Sequence, residues 1–154
     1  MSIETDLKKE KVSRLDLHEF TKVESGAKIR DVVEKMNQGR HNCALVTKKG
    51  ELIGIFTERD VLYKIATEPS TWDRPIDEFM TPSPKTTIPN GPSGDALNLM
   101  TTGHFRNVPV VDKKGKIRGN VSQYAFIKFL ADHFPQQVYN LSPDDGIHQD
   151  RYGG

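Results

Sequence analysis

The residues of this chain best suited to chemistry lie in one heptapeptide, Gly54-Ile55-Phe56-Thr57-Glu58-Arg59-Asp60. It reads as a strand that ends in a hydroxyl, with an acid one turn into the helix that follows. Two uses fit that spacing. In a capping box, the Thr57 hydroxyl accepts from a free amide of the first turn and Asp60 reaches back to the amide of residue 57. In a binding site, the free amides and the helix dipole favour an anion such as phosphate. The carboxylate then accepts from the vicinal hydroxyls of a ribose, as the acid of a dinucleotide site does. Arg59 stands where it could reach a polyphosphate or equally be solvated.

His41 and Cys43 are the residue types of a nucleophile pair or a metal site. Positions i and i+2 share a strand face, but no third partner lies nearby, and a lone cysteine usually packs as a small hydrophobe. Neither a catalytic nor a metal role is assigned. His41 is read as a phosphate neighbour, the alternative being an exposed loop histidine.

The elements that must position these residues occur twice. A shift of 65 places residues 42–66 on 107–131. Asn42 then meets Asn107, Val46 meets Val111, Lys48-Lys49-Gly50 meets Lys113-Lys114-Gly115, Gly54 meets Gly119 and Thr57 meets Ser122. Asp60 falls on Ala125, so only one copy keeps the acid, whereas a cap needs only the hydroxyl. Two copies suit a closed pair about a pseudo-two-fold axis better than a solenoid. The two clefts between them should differ chemically.

Each copy reads as helix, hairpin, helix. A weakly amphipathic helix is predicted over 4–16, with Ile3, Leu7, Val12 and Leu15 on one side. Ile29, Val32, Val33 and Met36 follow helical spacing, and Gly39 ends that helix. Cys43 to Val46 is a continuous apolar run that suits a buried strand, joined by a tight turn to a strand over Leu52 to Phe56. Thr57 starts a helix carrying Val61, Leu62 and Ile65. Residues 67–78 hold turn formers and Trp72, which is either a lid over the repeat junction or an anchor in a subunit interface. The order repeats: a helix with Ala96, Leu97, Leu99 and Met100 closed by Gly103, strands at Val108–Val111 and Ile117–Val121, and a helix with Phe126, Ile127, Phe129 and Leu130 stopped by Pro135.

The expected division is 1–19, a helical segment; 20–68, the first repeat; 69–78, a linker; 79–134, the second repeat; and 135–154, a polar and poorly ordered tail. The predicted core is Val33, Met36, Leu45, Val46, Ile53, Phe56, Leu62, Leu97, Met100, Val110, Val111, Val121 and Ile127.

A net charge of +1 over 154 residues gives no field that would draw nucleic acid, and the lysine pairs in the turns lack an aromatic platform. A single cysteine excludes an internal disulfide and fits a reducing compartment. No stretch approaches the roughly 20 apolar residues of a membrane helix, and the first residues lack a signal-peptide core. The chain reads as soluble, cytoplasmic and free of membrane partners.

The repeated pattern resembles the cystathionine-β-synthase (CBS) domain, a regulatory module found in tandem pairs. The residues that carry the resemblance are Gly54 to Asp60, Phe79-Met80-Thr81-Pro82, and Arg106-Asn107-Val108-Pro109-Val110-Val111-Asp112 with the Lys-Lys-Gly turn after it; together they span roughly 20–134. The resemblance implies an α/β (α+β) fold of two β-α-β-β-α repeats. It also implies adenosine ligands, namely AMP, ADP, ATP or S-adenosylmethionine, in the clefts between repeats, without a covalent cofactor.

On that pattern, Asp60 holds the ribose and Thr57 lies near the phosphates. Val23 and Thr87 line the adenine pockets, and His41 with Asn42, and Arg106 with Asn107, precede the middle strands as phosphate readers. The first cleft is thus Val23, His41, Asn42, Thr57, Arg59 and Asp60. The second, weaker for want of an acid, is Thr87, Arg106, Asn107 and Ser122. The leading reading is a nucleotide sensor that signals to an unknown protein, with a ligand-free adaptor pair as the alternative; no triad or phosphate loop supports an enzyme. Apolar residues in excess on the helices after each hairpin, and the resemblance, point to a homodimer.

Overall fold

The computed structural model describes residues 3–133; the polar tail expected over 135–154 lies outside the described residues. The run Cys43-Ala44-Leu45-Val46 is fully buried because both of its faces are covered. Ala44 and Val46 pack with Phe56 on one face, and Cys43 and Leu45 with Ile55 on the other. This strand, β2 (Cys43–Lys48), pairs antiparallel with β3 (Glu51–Thr57). The hairpin closes through Lys49 and Gly50, at φ 53° and 80°, the two left-handed positions of a two-residue hairpin turn.

Strand β1 (Thr21–Glu24) runs parallel to β2. Helix α2 (Ile29–Gly39) covers them with Ile29, Val32 and Met36; its last helical residue is Gly39, and the left-handed cap falls on Arg40 (φ 55°). After the hairpin, α3 (Glu58–Asp60) passes straight into a wider π-type turn, Val61–Ile65, in which the Ala66 amide bonds Val61 O at 2.8 Å.

The second repeat follows the same order: α4 (Ser93–Gly103) with a left-handed cap at His104, β5 (Asn107–Val111), β6 (Ile117–Ser122) and α5 (Gln123–His133). Its first strand is only an isolated bridge, Thr87 to Val110. The first sheet instead gains a strand, β4 (Thr81–Pro82), giving the order β1-β2-β3-β4 against β5-β6. The expectation of three strands in each unit is corrected accordingly.

Strand pairing also corrects the alignment of the copies. Gly54 lies opposite Val46 and Gly119 opposite Val110; Thr57 lies opposite Cys43 and Ser122 opposite Asn107. The Glu58 amide bonds Asn42 O at 3.0 Å, and the Gln123 amide bonds Arg106 O at 3.0 Å. The equivalent residues are therefore Asn42 and Arg106, Cys43 and Asn107, Val46 and Val110. The extra residue sits in the second turn, where Val111 and Ile117 bracket a five-residue loop whose Asp112 side chain accepts from the amides of Lys114 and Lys116. Matching the Lys-Lys-Gly turns shifts the preceding strand by one, and a shift of one exchanges its two faces.

The two repeats exchange the segments that lead into them. The Val12 amide bonds Gly91 O and the Ser93 amide bonds Glu10 O, at 2.9 and 2.6 Å. The matching pair in the other half is Ile76 to Ala27 O and Ile29 to Arg74 O, at 2.7 and 3.0 Å. This ends the helix predicted over 4–16 early: α1 covers only Ile3–Lys9, and Val12–Arg14 is a 3₁₀ turn, because the Val12 and Ser13 amides bond the 89–91 loop. Leu7, Val12 and Leu15 enter the core of the second repeat, and Ile76, with Trp72, Phe79 and Met80 around it, closes that of the first. Trp72 does not line a cleft between the repeats; it is partly buried and packs on the first core. Asp16 braces the lead-in to α5. It accepts from the His18 amide and from Lys128 Nζ, which holds its carboxyl down at about 2.

Each lead-in then crosses a glycine of the opposite hairpin. A Cβ at Gly54 would collide with the Met80 thioether, and one at Gly119 with Leu17. The shared glycine is a crossing point, not a turn. Of the predicted core, Leu62 and Ile127 are corrected: they stand 63 % and 62 % exposed, since Val61 and Ile65, and Phe126 and Phe129, occupy the inward positions.

Because each core is finished by the other repeat's lead-in, the pair should unfold as one unit. Ile76→Ala should cost about 2–5 kcal/mol. Urea unfolding followed by Trp72 fluorescence, which reports the first core, should coincide with unfolding followed by far-ultraviolet dichroism. Two separated transitions would refute the interlock.

Candidate functional site

Asp60 is buried, 8 % exposed, at the start of α3. It forms the capping box with Thr57: its Oδ2 accepts from the Thr57 amide at 2.9 Å. Oδ1 lies 2.9 Å from Lys64 Nζ, one turn on. Oδ2 also accepts a long bond from Thr57 Oγ1 at 3.5 Å, whereas Oδ1 keeps a further lone pair, so the cap and a ligand role are compatible. In the second repeat, Ser122 Oγ accepts from the Ala125 amide at 3.2 Å, which is the hydroxyl half of the same cap without the acid.

Thr57 and Asp60 open onto a cleft of about 720 Å³ between the repeats. Of the residues predicted for the first site, Asn42, Thr57, Arg59 and Asp60 line it. Val23 does not: its side chain is buried in the first repeat's core. His41 does not line it either, and its Nδ1 is instead 3.0 Å from Thr21 Oγ1. Arg106 and Asn107, predicted for the second cleft, face the first. The one-residue correction in register accounts for this. Arg106 is the counterpart of Asn42, and both lie at the junction where the two clefts meet.

Sequence reasoning missed the far wall, Thr81, Ser83, Pro84 and Lys85, and the α4 cap with its neighbour, His104 and Phe105. A signal was present, since Lys85 follows the Phe79–Pro82 motif and His104 and Phe105 directly precede Arg106. The cleft thus collects Arg59, Lys85, His104 and Arg106 from three segments of chain. Among the described residues, Arg59, Lys85 and Arg106 have no ion-pair partner. Ile55, Leu62, Tyr63, Pro84 and Phe105 supply apolar surface beside them. A flat apolar body with a ribose and an anionic end is the chemistry this lining can hold.

A family model, the CBS domain, matches residues 12–67 and again 76–132. The chain belongs to the CBS domain family. A CBS domain-containing protein of Arabidopsis thaliana, CBSCBSPB1, is 36% identical over 89 residues, which cover 56% of this chain and 16% of the relative. The solved CBS domain protein NE2398 superposes with a TM-score of 0.71 at 27% identity, covering 78% of this chain and 96% of that one. Two more distant structures share the fold. One is CBSX2 in complex with AMP, with a TM-score of 0.69 at 22% identity and coverage of 79% and 96%. The other is the CBS pair of MJ0100 with 5′-methylthioadenosine and S-adenosyl-L-methionine, with a TM-score of 0.69 at 21% identity and coverage of 80% and 97%.

The second CBS repeat has its own, smaller cleft of about 250 Å³, lined by Arg106, Ser122 and Asn42 with Glu19, Gln123, Tyr124 and Ile127. Tyr124 stands where the first repeat has Arg59, and Glu19 adds an acid. Thr87 and Asn107 do not line it. Thr87 is buried beside β5, and Asn107 Oδ1 accepts from Asn120 Nδ2 at 3.0 Å.

Cys43 lies between the sheets of the CBS pair, fully buried. Burial, with the nearby Glu19 carboxylate adding to it, pushes its thiol up to about 12. Among the described residues, no group of three or more His, Cys, Asp or Glu could hold a metal ion, and no helix is long and apolar enough to cross a membrane. Since the thiolate is the nucleophile, Cys43 should resist a disulfide reagent at pH 8 in the native protein and react fully in denaturant. Fast native labelling would overturn that placement.

Proposed function

We propose that this chain is a regulatory CBS pair that binds an adenosine nucleotide in the Asp60 cleft and passes the change to a protein partner. One observation carries the reading: the buried acid and the unpaired cations share one cleft with apolar walls. Asp60 accepts the ribose hydroxyls, the Thr57 end of α3 and Arg59, Lys85, His104 and Arg106 face the phosphates, and the apolar residues hold the base. The AMP and S-adenosyl-L-methionine complexes of CBSX2 and MJ0100 support the ligand class. The cations favour a phosphorylated member over a sulfonium, and AMP, ADP and ATP all fit the charge.

The alternative is an adaptor with empty clefts. It is favoured by the completed capping box and the Lys64 pair, which leave Asp60 partnered without any ligand. A calorimetric panel of AMP, ADP, ATP, NADH and S-adenosylmethionine separates the two readings. The sensor binds at least one of them, and the adaptor none.

The clefts should bind unequally. Losing a carboxylate that accepts two ribose hydroxyls removes charge-assisted bonds of roughly 1.5–3 kcal/mol each, and about 1.4 kcal/mol is already tenfold in affinity. Asp60→Ala should therefore abolish most nucleotide binding while the fold persists, and Ser122→Ala should change it little. Undiminished binding by Asp60→Ala would sink the assignment.

We also propose that the exposed apolar residues after each hairpin seat a second copy. Leu62 and Ile127, equivalent in the two repeats, are exposed together with Tyr63 and Tyr124, at 75 % and 58 %. A closed two-fold dimer would cover the same patch on both copies. Light scattering at micromolar concentration should give about twice the 17.4 kDa chain mass, and Leu62→Glu with Ile127→Glu should halve it. A parent that scatters as a single chain would refute this.

A further inference from the structure

Lys64 does not line the cleft, yet it is bound to the residue that matters most there. Its Nζ lies 2.9 Å from Asp60 Oδ1 and donates to the Phe79 carbonyl at 2.8 Å. Phe79 leads into β4, whose Thr81 pairs with Ile55 and also lines the cleft. One ammonium thus joins the acid of α3 to the chain that enters β4 and carries Thr81, Ser83 and Lys85 along the cleft. The second repeat has no such device: the positions of Asp60 and Lys64 are Ala125 and Phe129, both buried among apolar neighbours.

We infer that Lys64 is a positioning residue for the ribose acid. This rests on the reading above, that the cleft holds an adenosine nucleotide through its ribose. A carboxylate free to turn about its last torsion presents its lone pairs over a broad range of directions. Here the Thr57 amide, with its hydroxyl at 3.5 Å, fixes Oδ2 and Lys64 fixes Oδ1. The lone pairs left over point in set directions, which is what recognition of two adjacent hydroxyls requires. The head group stands at the surface, 42% exposed, so the ion pair alone adds little to folding; the orientation is its contribution. The tie to Phe79 keeps the ammonium from swinging away to solvent when ribose hydroxyls approach.

The readout is discrimination between AMP and 2′-deoxy-AMP, measured by calorimetry, because a merely structural lysine would weaken both alike. The parent should prefer AMP by about tenfold or more, the worth of one hydrogen bond to a charged acceptor. Lys64→Met should lower that preference below about threefold, and Lys64→Arg should restore it. Adding Lys64→Met to Asp60→Asn should cause no further loss, as expected of two residues acting as one unit. Should Lys64→Met fail to melt cooperatively, Lys64→Gln takes its place, keeping a donor for the Phe79 carbonyl without the charge. Parent-like preference in the lysine variants overturns the positioning role and leaves the site reading intact. A parent that binds both nucleotides equally, with Asp60→Asn unchanged, overturns the site reading and the positioning role together.

Discussion

Everything in this fold depends on two crossings in which one repeat's lead-in passes over the other's hairpin. At each crossing a glycine leaves room for the lead-in: Gly54 for the Met80 thioether, and Gly119 for the Cβ and carbonyl of Leu17. Amide bonds that recur about the pseudo-two-fold, Val12 to Gly91 and Ile76 to Ala27, secure the segments. Their buried side chains complete the cores. A repeat on its own would lack both a strand edge and a core residue. The hairpins are thereby held at a fixed distance, and the cleft between them has a defined width.

Within that frame the two halves diverge by a few side chains. At the helix start after each hairpin, the first repeat has Arg59 and Asp60 and the second Tyr124 and Ala125. The hairpins that present them are built alike, so residue type accounts for much of the difference in chemistry. The helix itself also differs, regular in α5 and widened after Asp60 in the first repeat. The wider turn accompanies the Asp60–Lys64 pair.

Much of this was legible in the sequence. The duplication, the hairpins and the apolar run of β2 all follow from local pattern, as did the placing of Thr57, Arg59 and Asp60 along one cleft. The register between copies was not legible, because the repeated Lys-Lys-Gly is a stronger signal than the strand before it and the extra residue hides in the turn. That single slip paired Asn42 with Asn107 and hid that Arg106, like Asn42, borders both clefts. Val23 and His41 were misplaced for another reason: their strand and loop are right, but which face is covered depends on the packing of α2 and of Thr21. The far wall at Ser83 and Lys85 depends on a lead-in that crosses between repeats, and no local pattern reports a crossing. Leu62 and Ile127 look like core by hydrophobicity alone.

Asn42 and Arg106 line both cavities. They form a party wall, and a party wall cannot be rebuilt for one tenant only. Replacing Arg106 to suit a ligand on one side redecorates the other, and an anion lodged on either side draws on the same guanidinium. The two halves of this molecule, free to diverge at Asp60 and Ala125, are at Arg106 bound to change together.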